Sequence, residues 1–335
     1  MSASSPILAV NDLSIDLFTL HAGVRPVDKV SYSVAAGETL AIVGESGSGK
    51  TVLNFFPLGL MPLGVSVSIT GSIRFDGKEL VGAGEGLLRK LRGGSIGVIF
   101  QDPMSALNPA RTICRQIAEV AELHLGLSAM QAEARALDLL KMVRMSDPEA
   151  RLRQYPHELS GGLRQRVMIA IAIAAEPKLL IADEPTTALD VTVQAQIISL
   201  LRDLQKRLNM AMVLITHDMG VVAGIAARVA VMYAGRVMEY GPAATVLTEP
   251  RHPYTRGLID AIPRVDDMPG TPFRGLPGSP PVLSAPIKGC AFASRCRHAV
   301  ETCQTARPPL AATNDRHVLA ACPVVNGNSE VLYAG

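Results

Sequence analysis

Apolar runs of strand length recur at residues 39–43, 95–100, 179–182, 212–216 and 229–233, and the segments between them carry helical spacing. Strands alternating with helices predict an α/β fold built on a largely parallel sheet. From Gln101 to Leu159 the strand pattern stops, and two helical stretches take over, at about 111–124 and 128–144. Ser128 with Gln131 has the spacing of a capping box, which marks a helix start. This region is expected to be a helical insertion in the α/β domain. Phe55-Phe56-Pro57 falls where a helix after the first run should continue. A proline there removes a backbone donor, so the helix is expected to kink or end early.

The pattern changes again at Pro263, followed by Pro269, Pro272, Pro277, Pro280, Pro281 and Pro286. Repeated proline disfavours both helix and central strand, so a stiff, irregular connector is expected. Beyond it lies a cysteine-bearing tail too short to bury a core of its own. No internal repeat and no heptad run is visible.

At 335 residues the chain is long enough for one large domain or two modest ones. Its 32 Lys+Arg against 30 Asp+Glu leave a net charge of +2, far from the basicity of a general phosphate-backbone binder. Nucleic acid is therefore not an expected partner. The longest uninterrupted apolar run, 167–175, falls well short of the roughly 18 residues that span a bilayer. Residues 1–10 lack a basic flank and a central apolar stretch, so they do not resemble a secretory signal, and a cytoplasmic location is expected. Five cysteines are too few for a disulfide scaffold. Cys114 stands alone, whereas Cys290, Cys296, Cys303 and Cys322 crowd the end of the chain.

The chemistry begins at Gly44-Glu45-Ser46-Gly47-Ser48-Gly49-Lys50-Thr51, which follows the run at 39–43 and opens a predicted helix. This is the setting of a Walker A phosphate loop, rather than of a Gly/Ser-rich turn that merely precedes a helix. Its glycines let backbone N–H groups turn toward phosphate oxygens. Lys50 would reach the β- and γ-phosphates, and the Thr51 hydroxyl would ligate Mg²⁺. The run at 179–182 then delivers Asp183 and Glu184 at its C-terminal end, where open α/β sheets bind ligands. Asp183 is expected to hold Mg²⁺, and Glu184 to polarise the attacking water as general base.

Leu159-Ser160-Gly161-Gly162-Leu163-Arg164-Gln165-Arg166 precedes an apolar helix. With it, nearly the whole chain resembles the ATP-binding subunits of ABC transporters, an α/β P-loop NTPase cassette with a helical subdomain. The resemblance implies that Ser160, Gly161 and Gly162 bind the γ-phosphate held by a second ATPase subunit. An N-capped helix after a loop would explain the same residues locally. It further implies that Gln101 senses Mg²⁺ and the attacking water, that Ala188-Leu189-Asp190 crosses to the opposite subunit, and that His217 contacts the γ-phosphate. An aromatic upstream of the loop stacks on adenine in this family. Phe18 and His21 are the candidates, with Phe18 the more expected to face the core as a strand residue.

Three further stretches, 101–109, 184–194 and 216–222, look like the dipeptide/oligopeptide importer branch of that family, as does the tail from Leu276-Pro277-Gly278 through Cys303. The cysteines are spaced x5, x6 and x18. Four thiols in a short segment suggest soft-metal ligation. The branch implies a [4Fe-4S] cluster, a four-cysteine zinc site has the same ligand count, and unliganded thiols are the third option. Arg295 and Arg297 are expected to soften the negative charge of such a centre.

The expected organisation is a nucleotide-binding domain over 1–262, with its helical subdomain at about 104–165, and a Pro/Cys-rich extension over 263–335. The resemblance implies an ATP- and Mg²⁺-dependent ATPase on the inner face of the cell membrane. Its implied partners are two transmembrane permease subunits, a paralogous second ATPase and, through the permease, an extracytoplasmic solute-binding protein. Soluble ABC ATPases of DNA repair or translation usually show long heptad arms or paired cassettes, and this chain has neither. Peptides are the implied cargo, with nickel, opines, glutathione or sugars as alternatives within the branch.

Overall fold

The computed structural model describes residues 5–18, 23–61, 64–262, 275–283, 287–314 and 317–327. Among them the strands are β1 (Leu8–Phe18), β2 (Gly23–Val34), β3 (Thr39–Val43), β4 (Ser66–Phe75), β5 (Lys78–Glu79), β6 (Ile96–Ile99), β7 (Leu179–Asp183), β8 (Ala211–Thr216), β9 (Arg228–Tyr233), β10 (Arg236–Pro242), β11 (Ala311–Ala312) and β12 (Leu319–Ala320). The chain forms two compact units, one from residues 1–8, 34–39 and 76–215, the other from 9–33, 40–75 and 216–335.

In the first unit β6, β7 and β8 run parallel, with Ile96 opposite Leu179, and Leu179 opposite Ala211. Every residue of β7 and β8 is buried, which is why both read as unbroken apolar runs. The helical insertion is present as Ile113–Leu125 and Ala129–Met142. The Ser128–Gln131 capping box is formed in both directions, so two N-terminal backbone donors are satisfied at once. Helix Gly161–Ala172 ends against β6, where a Cβ at Gly97 would lie 2.3 Å from the Ala172 carbonyl oxygen.

In the second unit β3 and β9 run parallel, with Ala41 opposite Val229. β9 then turns back into antiparallel β10 through Ala234 and Gly235, whose φ angles of 48° and 80° suit a two-residue hairpin turn. β1 lies between β2 and β4 in a separate sheet. The helix after β3 stops at Phe55, and Phe56–Leu58 tightens to a 3₁₀ turn that Gly59 ends at φ 72°. Pro57 thus breaks the helix as its missing N–H requires.

The described residues of the extension mostly share the core of the cassette, with a small cluster of their own at Cys322 and Val325. Residues 275–283 contain no helix or strand, as the prolines dictate. Cys290, Ala291, Phe292, Cys303 and Val318 are buried in one cluster with Val231, Tyr233 and Tyr254. β12 pairs antiparallel with β10, Leu319 opposite Tyr240, and β11 adds to β12. No helix among the described residues is long and apolar enough to cross a membrane.

A buried polar knot ties helix Pro253–Asp260 to β10. Glu239 accepts from the Arg251 and His252 N–H groups at 2.8 and 2.9 Å, while His252 Nδ1 caps the helix by accepting from the Tyr254 N–H. Burial pushes His252 down to about 4. The native state therefore binds that proton less readily than the unfolded chain, and stability present above pH 6.5 drains away as pH falls toward 4. At full effect this is about 3 kcal/mol. Glu239, raised by burial, works in the opposite sense. His252→Asn keeps a capping acceptor but does not titrate. Its melting temperature is expected to fall less between pH 7 and 4 than the parent's, and identical slopes would exonerate His252.

Candidate functional site

In the second unit, the loop between β3 and helix Lys50–Phe55 is shaped by two glycines at which backbone crowds backbone. A Cβ at Gly44 would lie 2.0 Å from the Met232 carbonyl oxygen, and one at Gly49 would lie 2.0 Å from that of Pro26. Both also have positive φ. Gly47, at φ 76°, turns the middle of the loop, and Ser48 is buried. Lys50 lies inside the curl, 7% exposed, with Nζ donating to the carbonyls of Gly44 and Glu45 at 2.7 and 2.9 Å. Thr51 is exposed beside it, and Ser46 lies on the rim. The loop thus curls around a buried ammonium group between a strand end and a helix start, the setting of a phosphate site.

Every polar group of Glu45 is engaged. Its N–H donates to the Tyr254 hydroxyl at 3.0 Å, its carbonyl accepts from Lys50, and its carboxylate takes a bidentate pair from Arg295 at 2.7 and 3.1 Å. Neither Tyr254 nor Arg295 is marked in the sequence as a partner of the loop. They lie 209 and 250 residues away, and no local pattern announces them. Arg295 was expected to soften the negative charge of a cysteine-bound centre, but its guanidinium is committed to Glu45, with its remaining donors on the Pro277 carbonyl and the Tyr233 hydroxyl. His217 stands exposed just after β8, followed by Asp218, which caps helix Met219–Ile225.

Phe18 is the last residue of β1 and is 49% exposed. The expectation that it packs into the core is wrong: the strand's buried positions end at Ile15, and Phe18 is carried beyond them. His21 lies outside the described residues.

In the first unit, β7 brings Asp183, 3% exposed, to its C-terminal end, and Glu184 follows in a left-handed conformation with φ 44°. A glutamate so held is strained, a state that persists only where the surroundings fix it. Glu184 is fixed by its N–H donating to the Ile215 carbonyl, and by Gln101 Nε2 and Thr187 Oγ1 donating to its Oε2 at 3.1 and 2.9 Å. Gln101 and Glu184, 83 residues apart, are therefore in direct contact. Thr187 is the residue of this cluster that sequence reasoning missed.

Ser160 occupies the N-cap position of helix Gly161–Ala172 but makes no side-chain capping bond. Ser160 and Gly161 are exposed, and a Cβ at Gly162 would press on Val193 at 2.9 Å. Asp190, by contrast, is a working cap, accepting from the Val193 N–H at 2.9 Å.

The tail cysteines are neighbours. Cys290 donates its N–H to the Cys303 carbonyl at 2.7 Å, and burial pushes its thiol up to about 11, with Cys303, Cys322 and Cys296 adding repulsion. Burial also raises Cys296 and Cys322. All are free thiols. Among the described residues, no three or more His, Cys, Asp or Glu side chains are arranged around one metal ion.

Comparison with known proteins gives a consistent set. Residues 27–187 match the model of the ABC transporter family, and residues 238–303 match the C-terminal region of oligopeptide/dipeptide transporters. The oligopeptide transport ATP-binding protein OppD of Salmonella typhimurium is 50% identical over 306 residues, covering 91% of this chain and 90% of that protein. OppD of Bacillus subtilis is 47% identical, covering 93% and 87%. Among solved structures, the dimeric, post-hydrolysis ATP-binding cassette MJ0796 with ADP and Pi has a TM-score of 0.62 at 27% identity, covering 70% of this chain and 98% of its own. CbiO1 of Clostridium perfringens, part of the transporter complex cbiONQ, also has a TM-score of 0.62, at 31% identity, covering 73% and 92%.

Proposed function

The chain belongs to the ATP-binding subunits of ABC transporters, and from that premise we propose that it hydrolyses ATP to power import of di- and oligopeptides. The observation that carries the reading is the continuity of the likeness. The family match to 238–303 and the whole-length relatives extend it through the tail that marks the peptide branch. The working organisation is a cassette over 1–262, with a helical subdomain at about 104–165, and an extension over 263–335.

Each residue then has a task. The main chain of Gly44, Ser46, Gly47, Ser48 and Gly49, with Lys50, cradles the phosphates, while Glu45, whose N–H and carbonyl are already engaged, shapes the loop, a correction to the direct phosphate contact expected of it. Thr51 and Asp183 would hold Mg²⁺: Asp183 offers a carboxylate at a strand end and Thr51 a hydroxyl at the loop's exit, hard oxygen donors suited to that ion, which would supply charge neutralisation on the phosphates. Glu184 takes the proton from the attacking water, with Gln101 orienting both. His217 steadies the γ-phosphate. The uncapped Ser160, with Gly161 and Gly162, offers donors to the nucleotide of a partner ATPase, and Asp190 lies in the segment that meets that partner. Phe18, with an exposed ring, is favoured over His21 to stack on adenine. ATP binding draws two ATPase subunits together, and loss of the γ-phosphate releases them, so the cycle is a switch biased by phosphate contacts.

Two permease subunits receive that motion, a paralogous ATPase completes the pair, and a binding protein delivers peptide through the permease. The chain then sits at the inner face of the cell membrane. Reconstitution tests this: ATP supplied on the side bearing this subunit should drive peptide uptake into vesicles. Equal uptake without nucleotide overturns the reading.

Cys290, Cys296, Cys303 and Cys322 would hold a [4Fe-4S] cluster. What supports this is the donor set, four neighbouring thiols of which Cys290, Cys303 and Cys322 are buried and Cys296 is half-buried, soft ligands whose protons a metal would displace. Arg297, which favours the Cys296 thiolate, would offset part of the charge. Bound there, the group would tie segments of the tail together. Anaerobically purified protein should show a broad brown absorption band and contain iron. A colourless protein with zinc, or without metal, rejects the cluster.

A further inference from the structure

We propose that the C-terminal extension sets the phosphate loop for ATP, with Arg295 as a positioning residue that holds the Glu45 carboxylate away from the triphosphate. The proposal rests on the reading of that loop as an ATP cradle.

Glu45 poses an electrostatic problem. It is the first residue after Gly44 in a loop whose task is to surround a polyanion, and an unpaired carboxylate there would repel the ligand. The structure resolves this with a fixed counter-ion. The Arg295 side chain is 5% exposed, and its planar fork meets both Glu45 oxygens, at 2.7 and 3.1 Å. Bidentate pairing fixes direction as well as charge.

Arg295 has little freedom to be anywhere else. Its Nε donates to the Pro277 carbonyl at 2.6 Å, and Nη1 also reaches the Tyr233 hydroxyl at 3.1 Å. The guanidinium lies 5.6 Å from the Tyr233 ring centroid and 5.8 Å from that of Phe292. Tyr254 packs on both of those rings, with centroids 4.6 and 5.2 Å apart, and its hydroxyl accepts the Glu45 N–H. The loop is thus gripped at two points of one residue, the carboxylate by Arg295 of the extension and the peptide nitrogen by Tyr254 of the cassette's last helix, on whose ring the extension's Phe292 packs. The pair spans 250 residues, so the guanidinium reaches the loop only when the extension is folded against the core around Val231, Tyr233 and Tyr254.

A pure packing role and an electrostatic one part company in a double substitution. Steady-state ATP hydrolysis by the complete transporter complex is measured for Arg295→Gln, Arg295→Lys, Glu45→Gln and the Glu45→Gln/Arg295→Gln pair, with melting temperatures recorded alongside. Arg295→Gln is expected to raise the KM for ATP about tenfold with kcat within about twofold of the parent, since it bares a carboxylate in the binding loop. Arg295→Lys, which keeps the charge but loses the fork, should raise KM about threefold. The double variant should return KM close to the parent, because no carboxylate is left to repel the ligand.

A parental KM for Arg295→Gln overturns the proposal, as does a double variant no better than Arg295→Gln. Should Arg295→Gln fail to fold, a parental KM for Arg295→Lys overturns it equally. If the parent complex hydrolyses no ATP, it is the nucleotide reading that fails; if it does and the variants match it, only the role of Arg295 fails.

Discussion

Glu184→Gln is expected to lower ATP turnover by about 10²–10⁴-fold, the usual contribution of a positioned general base. ATP binding should stay close to the parent's. The substitution keeps the size of the side chain and an oxygen that can still accept from Gln101 Nε2 and Thr187 Oγ1, which meet the Glu184 carboxylate at 3.1 and 2.9 Å. What it removes is basicity. Glu184 also holds its left-handed backbone whichever side chain it carries, because its N–H is tied to the Ile215 carbonyl. Hydrolysis and nucleotide binding measured on the same preparation separate the two effects. A variant that hydrolyses at the parental rate removes Glu184 from the mechanism.

Lys50→Ala should strike binding itself. Lys50 carries its charge almost fully buried and organises the loop from within, its ammonium latching the carbonyls of Gly44 and Glu45. Alanine deletes both the latch and the charge that meets the β- and γ-phosphates. Hydrogen bonds to charged groups are worth roughly 1.5–3 kcal/mol each, so ATP affinity should fall about tenfold to a hundredfold or more. Titration with a fluorescent ATP analogue reads the change directly. Parental affinity would mean that the phosphates are held elsewhere.

What could be read in the sequence follows from how locally each feature is encoded. β7 and β8 are buried along their whole length, so their residues had to be apolar without interruption. The helix break at Pro57 and the capping box at Ser128 are likewise properties of a few adjacent residues. β1, β2 and β4 are part-exposed strands with no unbroken apolar run, and the alternation in β2 and β4 slips once, at Pro26–Val27 and at Thr70–Gly71, which cuts each into pieces too short to stand out. β10 was hidden by Arg236 and Glu239, two charges buried with their partners inside a strand.

The site divides in the same way. The phosphate loop and the Asp183–Glu184 pair are contiguous chemistry, legible at once. Contacts made by the fold, Thr187 on Glu184 and Arg295 and Tyr254 on Glu45, have no signature along the chain. Phe18 was misjudged because its type argues for burial, while its place at the end of a strand decides for exposure.

The most direct test of the whole account is labelled-peptide uptake into vesicles holding the reconstituted transporter, with ATP on the side bearing this subunit. Parent complex should accumulate peptide as ATP is consumed, and complex carrying Lys50→Ala should do neither. Uptake by the Lys50→Ala complex at the parental rate would contradict it.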